Sequence, residues 1–349
     1  DVVKKARFNQ AFIAKYSPRE GTSAFKLKDS VPLDEKKRRE QVLLTLLRAD
    51  LSKLNKLVVI LGQTATGKTR LSIELAKKFK GEVVSADSRQ VYKGMDLGTG
   101  KATKKEMAGI PHHLLDIASP KLKFSVADFQ KQAYLTIDDI IKRGKTPFLV
   151  GGSAFYLYSV IEGWQFPKTK RDEKLRKALE KKTAQQLFSI LKNIAPQRAK
   201  TVDPLNKRRL IRAIEIAKQL GEVPQIIKKP KYECLILGLK KPDQELKKLI
   251  RERLLRRLKL GMMAEVKNLK KSGLSWKRLE GFGLEYKWLA LYLQGKVNKQ
   301  EMLEKLTTDI YRFAKRQMTW FGKDKRIHWL NNNEKEREAI ALIKKFLSR

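Results

Sequence analysis

Five short apolar runs punctuate the chain: LVVILG (57–62), EVVSAD (82–87), HHLLDI (112–117), PFLVGG (147–152) and CLILGL (234–239). Their continuous apolar character predicts strands buried on both faces, as in a parallel sheet. Between them, apolar residues recur at helical spacing. Leu71, Leu75 and Phe79 share one face of KTRLSIELAKKFKG, which Gly81 is expected to stop. Ser125 with Asp128 is a capping signal for VADFQKQAYLTIDDIIKRG, which ends at Gly144. The alternation of strand and helix predicts an α/β fold.

After Gly163 the strand pattern pauses. Residues 168–197 are highly charged and helical in pattern, which predicts a helical insertion. Helices resume with RRLIRAIEIAKQLG (208–221) and DQELKKLIRERLLRRLKLG (243–261), the latter with Asp243 as expected cap and Gly261 as stop. The tail is again helical from about Asn298. The expected layout is a basic extension over 1–54, a first core segment over 55–165, an α-helical insertion over 166–202, and the remainder of the core with C-terminal helices over 203–349. Within the extension, DEKKRREQVLLTLLRADL from Asp34 reads as an amphipathic helix. Asp29, Asp34, Glu35 and Glu40 argue against a basic organellar presequence and favour a flexible arm leading into a first helix.

Of the 349 residues, 42% are hydrophobic and 33% charged, enough apolar material for one large domain or two. No run of about 18 apolar residues occurs, so no membrane span is expected. The single cysteine, Cys234, cannot form an internal disulfide, and a reducing, cytoplasmic setting is expected. The net charge of +41 favours a polyanionic partner through counterion release. The plainer alternative is lysine-rich, solvated helix faces.

Gly62-Gln63-Thr64-Ala65-Thr66-Gly67-Lys68-Thr69 fits G-x-x-x-x-G-K-[ST] and lies between a predicted strand and a predicted helix, the context that motif requires. Its amides and the helix N-terminus suit a phosphate. Lys68 brings a charge, and the Thr69 hydroxyl suits Mg²⁺. The loop alone does not choose between a kinase, an NTPase and another diphosphate-binding enzyme. PFLVGG runs into Gly151-Gly152-Ser153 where an NTPase would carry an acid for magnesium. EVVSAD does end in Asp87, so a small-molecule kinase stays open.

Further motifs narrow the choice. SADSRQVYKGMDLGTGK (85–101), IPHHLLDI (110–117), FSVADFQ (124–130), GKTPFLVGG (144–152) and AKRQMTWF (314–321), taken with GQTATGKT, resemble the tRNA dimethylallyltransferases from about Leu57 to Leu330. The resemblance implies a P-loop NTPase-like core with a helical arm for tRNA. It implies transfer of a dimethylallyl group from dimethylallyl diphosphate to N6 of adenosine 37 beside the anticodon, with Mg²⁺ as cofactor and diphosphate released. The loop would then hold the diphosphate of a prenyl donor, and the ATP-binding label often given to such loops would follow from its shape alone. A monomer is implied.

The same resemblance assigns Asp87 as general base and Ser153, standing where the family has Thr in GGTGLY, as a hydroxyl near the reacting groups. Ala154 and Phe155 depart from that pattern and put the shape of the channel in question. Arg253 in RERLLRRLKLGMMAEV is implied as a diphosphate ligand. Asp87, Ser88, Arg89 and Gln90 would meet the flipped adenine. Arg176, the stretch Arg208-Arg209-Leu210-Ile211-Arg212, Gly283 and Tyr286 are implied as tRNA contacts. Trp320 and Phe321 are expected in the core, and His112 and His113 are expected to be structural. Rival readings are a P-loop small-molecule kinase, a prenyltransferase of free adenine nucleotides, and an inactive RNA-binding protein. The charge and insertion favour tRNA over free nucleotides, and intact Lys68, Thr69 and Asp87 favour an enzyme.

Overall fold

The computed structural model describes residues 31–41 and 54–348. The strands are β1 (Asn55–Gly62), β2 (Gly81–Ala86), β3 (His112–His113), β4 (Thr146–Gly151), β5 (Trp164–Gln165), β6 (Ile227–Lys228), β7 (Tyr232–Leu239) and β8 (Ile327–Trp329). Six of them form one sheet in the order β3-β2-β4-β1-β7-β8, parallel at every pairing. The expected P-loop α/β core is therefore present. Leu57 to Leu61 of β1 are all fully buried, as a central strand covered on both faces requires.

One face of the sheet carries the helices Lys68–Lys78 and Lys335–Leu347, which close over Val58, Ile60, Leu71, Leu75, Phe148, Leu237 and Ile343. Val126–Lys142, Ala154–Ile161 and Lys299–Phe321 cover the other. Ser125 and Asp128 form the expected capping box. Three local expectations change. HHLLDI pairs only at His112 and His113, because Leu114 and Asp116 take positive φ (63° and 56°) and leave the strand line. The first helix stops at Lys78, before Gly81. Gly81 instead opens β2, where a Cβ would strike the Phe148 ring at 2.3 Å. Asp243 is the first helical residue rather than the cap, and its carboxylate accepts from Lys315 Nζ (2.9 Å) and Tyr311 (3.0 Å).

Trp164–Lys229 forms a separate compact unit. It is wider than the insertion expected over 166–202. The reason is packing: Leu210, Ile211, Ala213, Ile214 and Ala217 of helix Lys207–Leu220 share one core with Leu179, Leu187 and Leu191. Antiparallel β5 and β6 pair at its two ends. The first part of the expected N-terminal helix is described, over residues 33–41, with Glu35 paired to Arg38 and Arg39. The rest of that helix and the expected arm before it lie outside the described residues. Among the described residues, no helix is long and apolar enough to cross a membrane.

Candidate active site

Parallel strands deliver their carboxyl ends to one edge of the sheet, where ligands of open α/β sheets bind. At that edge β1 gives way to the loop 62–69, β2 to Asp87–Gln90, and β4 to Gly151–Ser153. Gly62 sits at φ 144°, and a Cβ there would lie 2.1 Å from Leu239 O of β7, so only glycine fits. Gly67 turns left-handed (φ 90°) into helix Lys68–Lys78.

Within the loop, Thr66 Oγ1 and Lys68 Nζ both donate to Gln63 O, at 2.8 and 2.6 Å. Gln63 and Thr66 are buried, so their side chains brace the loop and only their backbone can serve a ligand. Gln317, on the late helix Lys299–Phe321, accepts from Thr64 N (2.8 Å) and donates to Gly152 O (2.9 Å). It ties the phosphate loop to the β4 loop. Arg253 Nη1 reaches Thr64 Oγ1 at 3.3 Å. Burial pushes the Lys68 ammonium down to about 7, helped by the charge of Arg253 and opposed by Asp87. Burial likewise lowers Arg253 to about 10, with Arg257 adding to the shift. Among the described residues neither Lys68 nor Arg253 has an ion-pair partner. Ala65 also holds a positive φ (63°), and Thr69 is an exposed residue on the first helical turn.

Asp87 Oδ1 accepts from Arg89 N (2.8 Å) and Gln90 N (3.4 Å), which folds residues 87–90 into a turn. Its Oδ2 accepts no bond among the described residues. Ser88 N donates to Ser153 Oγ at 3.0 Å. Ser153 therefore stands at a helix N-cap position but uses its hydroxyl on the Asp87 turn, with no capping bond. Gln90 is held between Ser85 Oγ (3.0 Å) and the carbonyls of Thr99 and Gly100.

Glu265 was not singled out by the sequence, yet it organises the next loop. Its carboxylate accepts from the amides of Asp96 (2.9 Å), Leu97 (2.6 Å) and Gly98 (3.0 Å) and from the Tyr286 phenol (2.7 Å). Tyr286 is 2% exposed, so it cannot present an edge to RNA; it supports Glu265 and packs on Gly98. Gly283, at φ 77°, joins two helices with open space around it. Trp320 departs from the expected core position: it is 39% exposed and meets half-exposed Phe155 edge-on at 5.1 Å, whereas Phe321 is fully buried.

In the unit Trp164–Lys229 the implied tRNA residues divide. Leu210 and Ile211 are buried in its core, which removes their side chains from any surface role. Arg176 forms a two-point pair with buried Glu215 (2.7 and 2.6 Å), which also accepts from Arg212 and from Asp172 N. Burial alone would raise Glu215; these donors more than offset it and take the carboxyl down to about 2. Arg208 and Arg209 remain exposed. His113 pairs with buried Glu82 (2.7 Å) and His112 with Ile110 O (2.8 Å), and no metal-binding group of His, Cys, Asp or Glu occurs among the described residues.

The IPP transferase family matches residues 90–324. tRNA dimethylallyltransferase 1 of Syntrophus aciditrophicus is 44% identical over 292 residues, 81% of this chain and 96% of that protein. tRNA dimethylallyltransferase 2 of Treponema denticola is 46% identical over 274 residues, 76% and 91% of the two chains. Among solved structures, the full-length tRNA isopentenylpyrophosphate transferase of Bacillus halodurans superposes with a TM-score of 0.65 at 38% identity, covering 84% of this chain and 97% of that one. A eukaryotic dimethylallyltransferase acting on tRNA gives 0.71 at 26% identity, covering 84% and 80%.

Proposed function

We propose a site-level reaction for this chain, which belongs to the IPP transferase family of tRNA dimethylallyltransferases. The chain transfers a dimethylallyl group to tRNA. In our reading the donor is dimethylallyl diphosphate and the acceptor is N6 of adenosine 37, in cytoplasm, by a monomer. The observation that carries this reading is a pair of cations, Lys68 and Arg253, left without carboxylate partners beside the free oxygen of Asp87.

The loop amides, Lys68 and Arg253 hold the diphosphate. Thr69 would hold Mg²⁺ through its hydroxyl; one protein ligand plus phosphate oxygens and water suits that ion. When bound, magnesium would neutralise diphosphate charge. The adenine N6 lone pair is delocalised into the ring, so the amine needs help to attack. As its nitrogen bonds to the allylic carbon, the carbon–oxygen bond to diphosphate breaks and Asp87 Oδ2 accepts the N6 proton. Ser153 holds the Ser88 amide and so fixes the turn that aims Asp87. Arg89 and Gln90 line the adenine side, and exposed Arg208 and Arg209 meet the RNA backbone.

Asp87→Ala should lower transfer by about 10³-fold, the scale of a lost general base, with tRNA affinity retained. The assay is mass spectrometry of nucleosides after reaction with unmodified tRNA, dimethylallyl diphosphate and Mg²⁺. Wild-type rates in Asp87→Ala would remove the base assignment. Prenylated AMP formed as readily as prenylated tRNA would remove the choice of acceptor.

A further inference from the structure

We propose that Arg257 is a second diphosphate-binding residue beside Arg253, seated by the space at Gly100 and charge-balanced by Glu285. The proposal rests on the diphosphate reading above.

Arg253 and Arg257 are four residues apart on helix Asp243–Lys259 and so share a face. Their Nη2 atoms come within 2.0 and 1.7 Å of the point where a Gly100 Cβ would stand. The two guanidinium groups therefore touch, in space that any side chain at position 100 would fill. Gly100 also sits at φ +62°, a conformation that disfavours replacement. The loop that carries it is fastened by Glu265 through three amides.

Arg257 Nη1 donates to Glu285 Oε1 (3.1 Å) and Gly98 O (3.4 Å), and both side chains of this pair are about nine-tenths buried (11% and 12% exposed). Among the described residues, Arg253 bonds only to the Thr64 hydroxyl. Two buried guanidinium groups in contact repel one another, and Lys68 adds a third positive charge nearby. Glu285, with Asp87 acting from outside contact, balances only part of this. Burial lowers both arginines, and it raises Glu285 against the pull of Arg257 and Arg253. A diphosphate offers several oxygens that two planar forks can bracket. Its charge grows as the carbon–oxygen bond breaks, so a second guanidinium stabilises the departing group more than the intact donor.

The test is calorimetric titration of the full chain with inorganic pyrophosphate and Mg²⁺, alongside KM for the donor and for tRNA. Arg257→Met should weaken pyrophosphate binding and raise the donor KM by about tenfold or more, with the tRNA KM nearly unchanged. Arg257→Lys should recover part of the loss. Glu285→Gln keeps an acceptor and removes a negative charge, so it should bind pyrophosphate more tightly than wild type, which a packing defect would not do. Unchanged pyrophosphate affinity in Arg257→Lys and Glu285→Gln overturns the proposal even if Arg257→Met fails to fold. Equal losses toward donor and tRNA overturn it too. Arg253→Met separates the two ideas: if it binds pyrophosphate as wild type does, the diphosphate reading itself fails.

Discussion

Arg253 and Arg176 look alike in the sequence, each an arginine on a charged helix, and the structure gives them opposite circumstances. Arg176 and Arg212 converge on Glu215, a fully buried acid that satisfies both. Arg253 and Lys68 stand at the end of a sheet with no acid in contact. In the unit Trp164–Lys229, charge fastens the fold. At the loop 62–69, Lys68 and Arg253 have no such carboxylate among the described residues, and the proposed diphosphate would supply the missing charge. Arg176 and Arg253 thus differ in whether a buried carboxylate touches them, a fact about tertiary partners that helix pattern does not carry.

The comparison predicts its sharpest contrast at Glu215. Glu215→Ala should cost roughly 3 kcal/mol of stability, because buried charge pairs broken on one side are expensive. Pyrophosphate binding should be unaffected. The folded carboxyl is held near 2, below its ordinary value of 4.5. Its contribution is therefore complete above about pH 4.5 and is lost as pH falls toward 2. Denaturant melts of the wild type and variant should converge over that window; parallel curves would show that the arginines do not depend on this acid.

Lys68 should shift stability in the same direction but in a higher pH window, and there the shift is a cost that burial imposes on the fold. Its folded pKa is lowered from 10.5 to about 7, so between those values the unfolded chain binds the extra proton and the ligand-free fold gains stability as pH rises. A bound diphosphate favours the charged form. Pyrophosphate binding at pH 8 should take up close to one proton, read as a difference in heat between buffers of unlike ionisation enthalpy. Lys68→Met should abolish that uptake. The same uptake in the variant would mean the proton goes elsewhere.

The smallest effect is expected where arginines face water. Arg208→Ala with Arg209→Ala should flatten the salt dependence of tRNA binding by a log–log slope of about 2, with a modest loss of affinity and no change in melting. An unchanged slope would return these residues to the solvated surface.

Much of the core was legible because buried strands and capped helices are local signals. The placement of the loop 62–69 and of Asp87 at strand ends was legible because glycine and acid occur at fixed offsets from strands. Three-residue β8 was too short to leave a pattern, although it packs Trp329 against Gly238. Glu265 and Glu285 were missed, and Gln317 was read only as part of AKRQMTWF, for a different reason. Each looks like a solvent-facing polar residue of a helix, and for Glu265 and Gln317 the partners that define it lie more than 160 residues away. Arg257 was hidden among Arg251, Arg253 and Arg256, where the Gly100 gap sets Arg253 and Arg257 apart from the other two. Leu210, Ile211 and Tyr286 show the converse error, since membership of a motif did not reveal that their side chains point inward.

Gln317 has a consequence for how the enzyme comes into being. The phosphate loop is among the earlier parts of this chain to be synthesised, yet the side chain that pins Thr64 to Gly152 arrives about 250 residues later. A ribosome-bound chain that has not reached this residue holds the loop without its clasp. The site is therefore finished late in translation, after the strands that surround it, and a truncated product would carry the sequence motif without the set geometry.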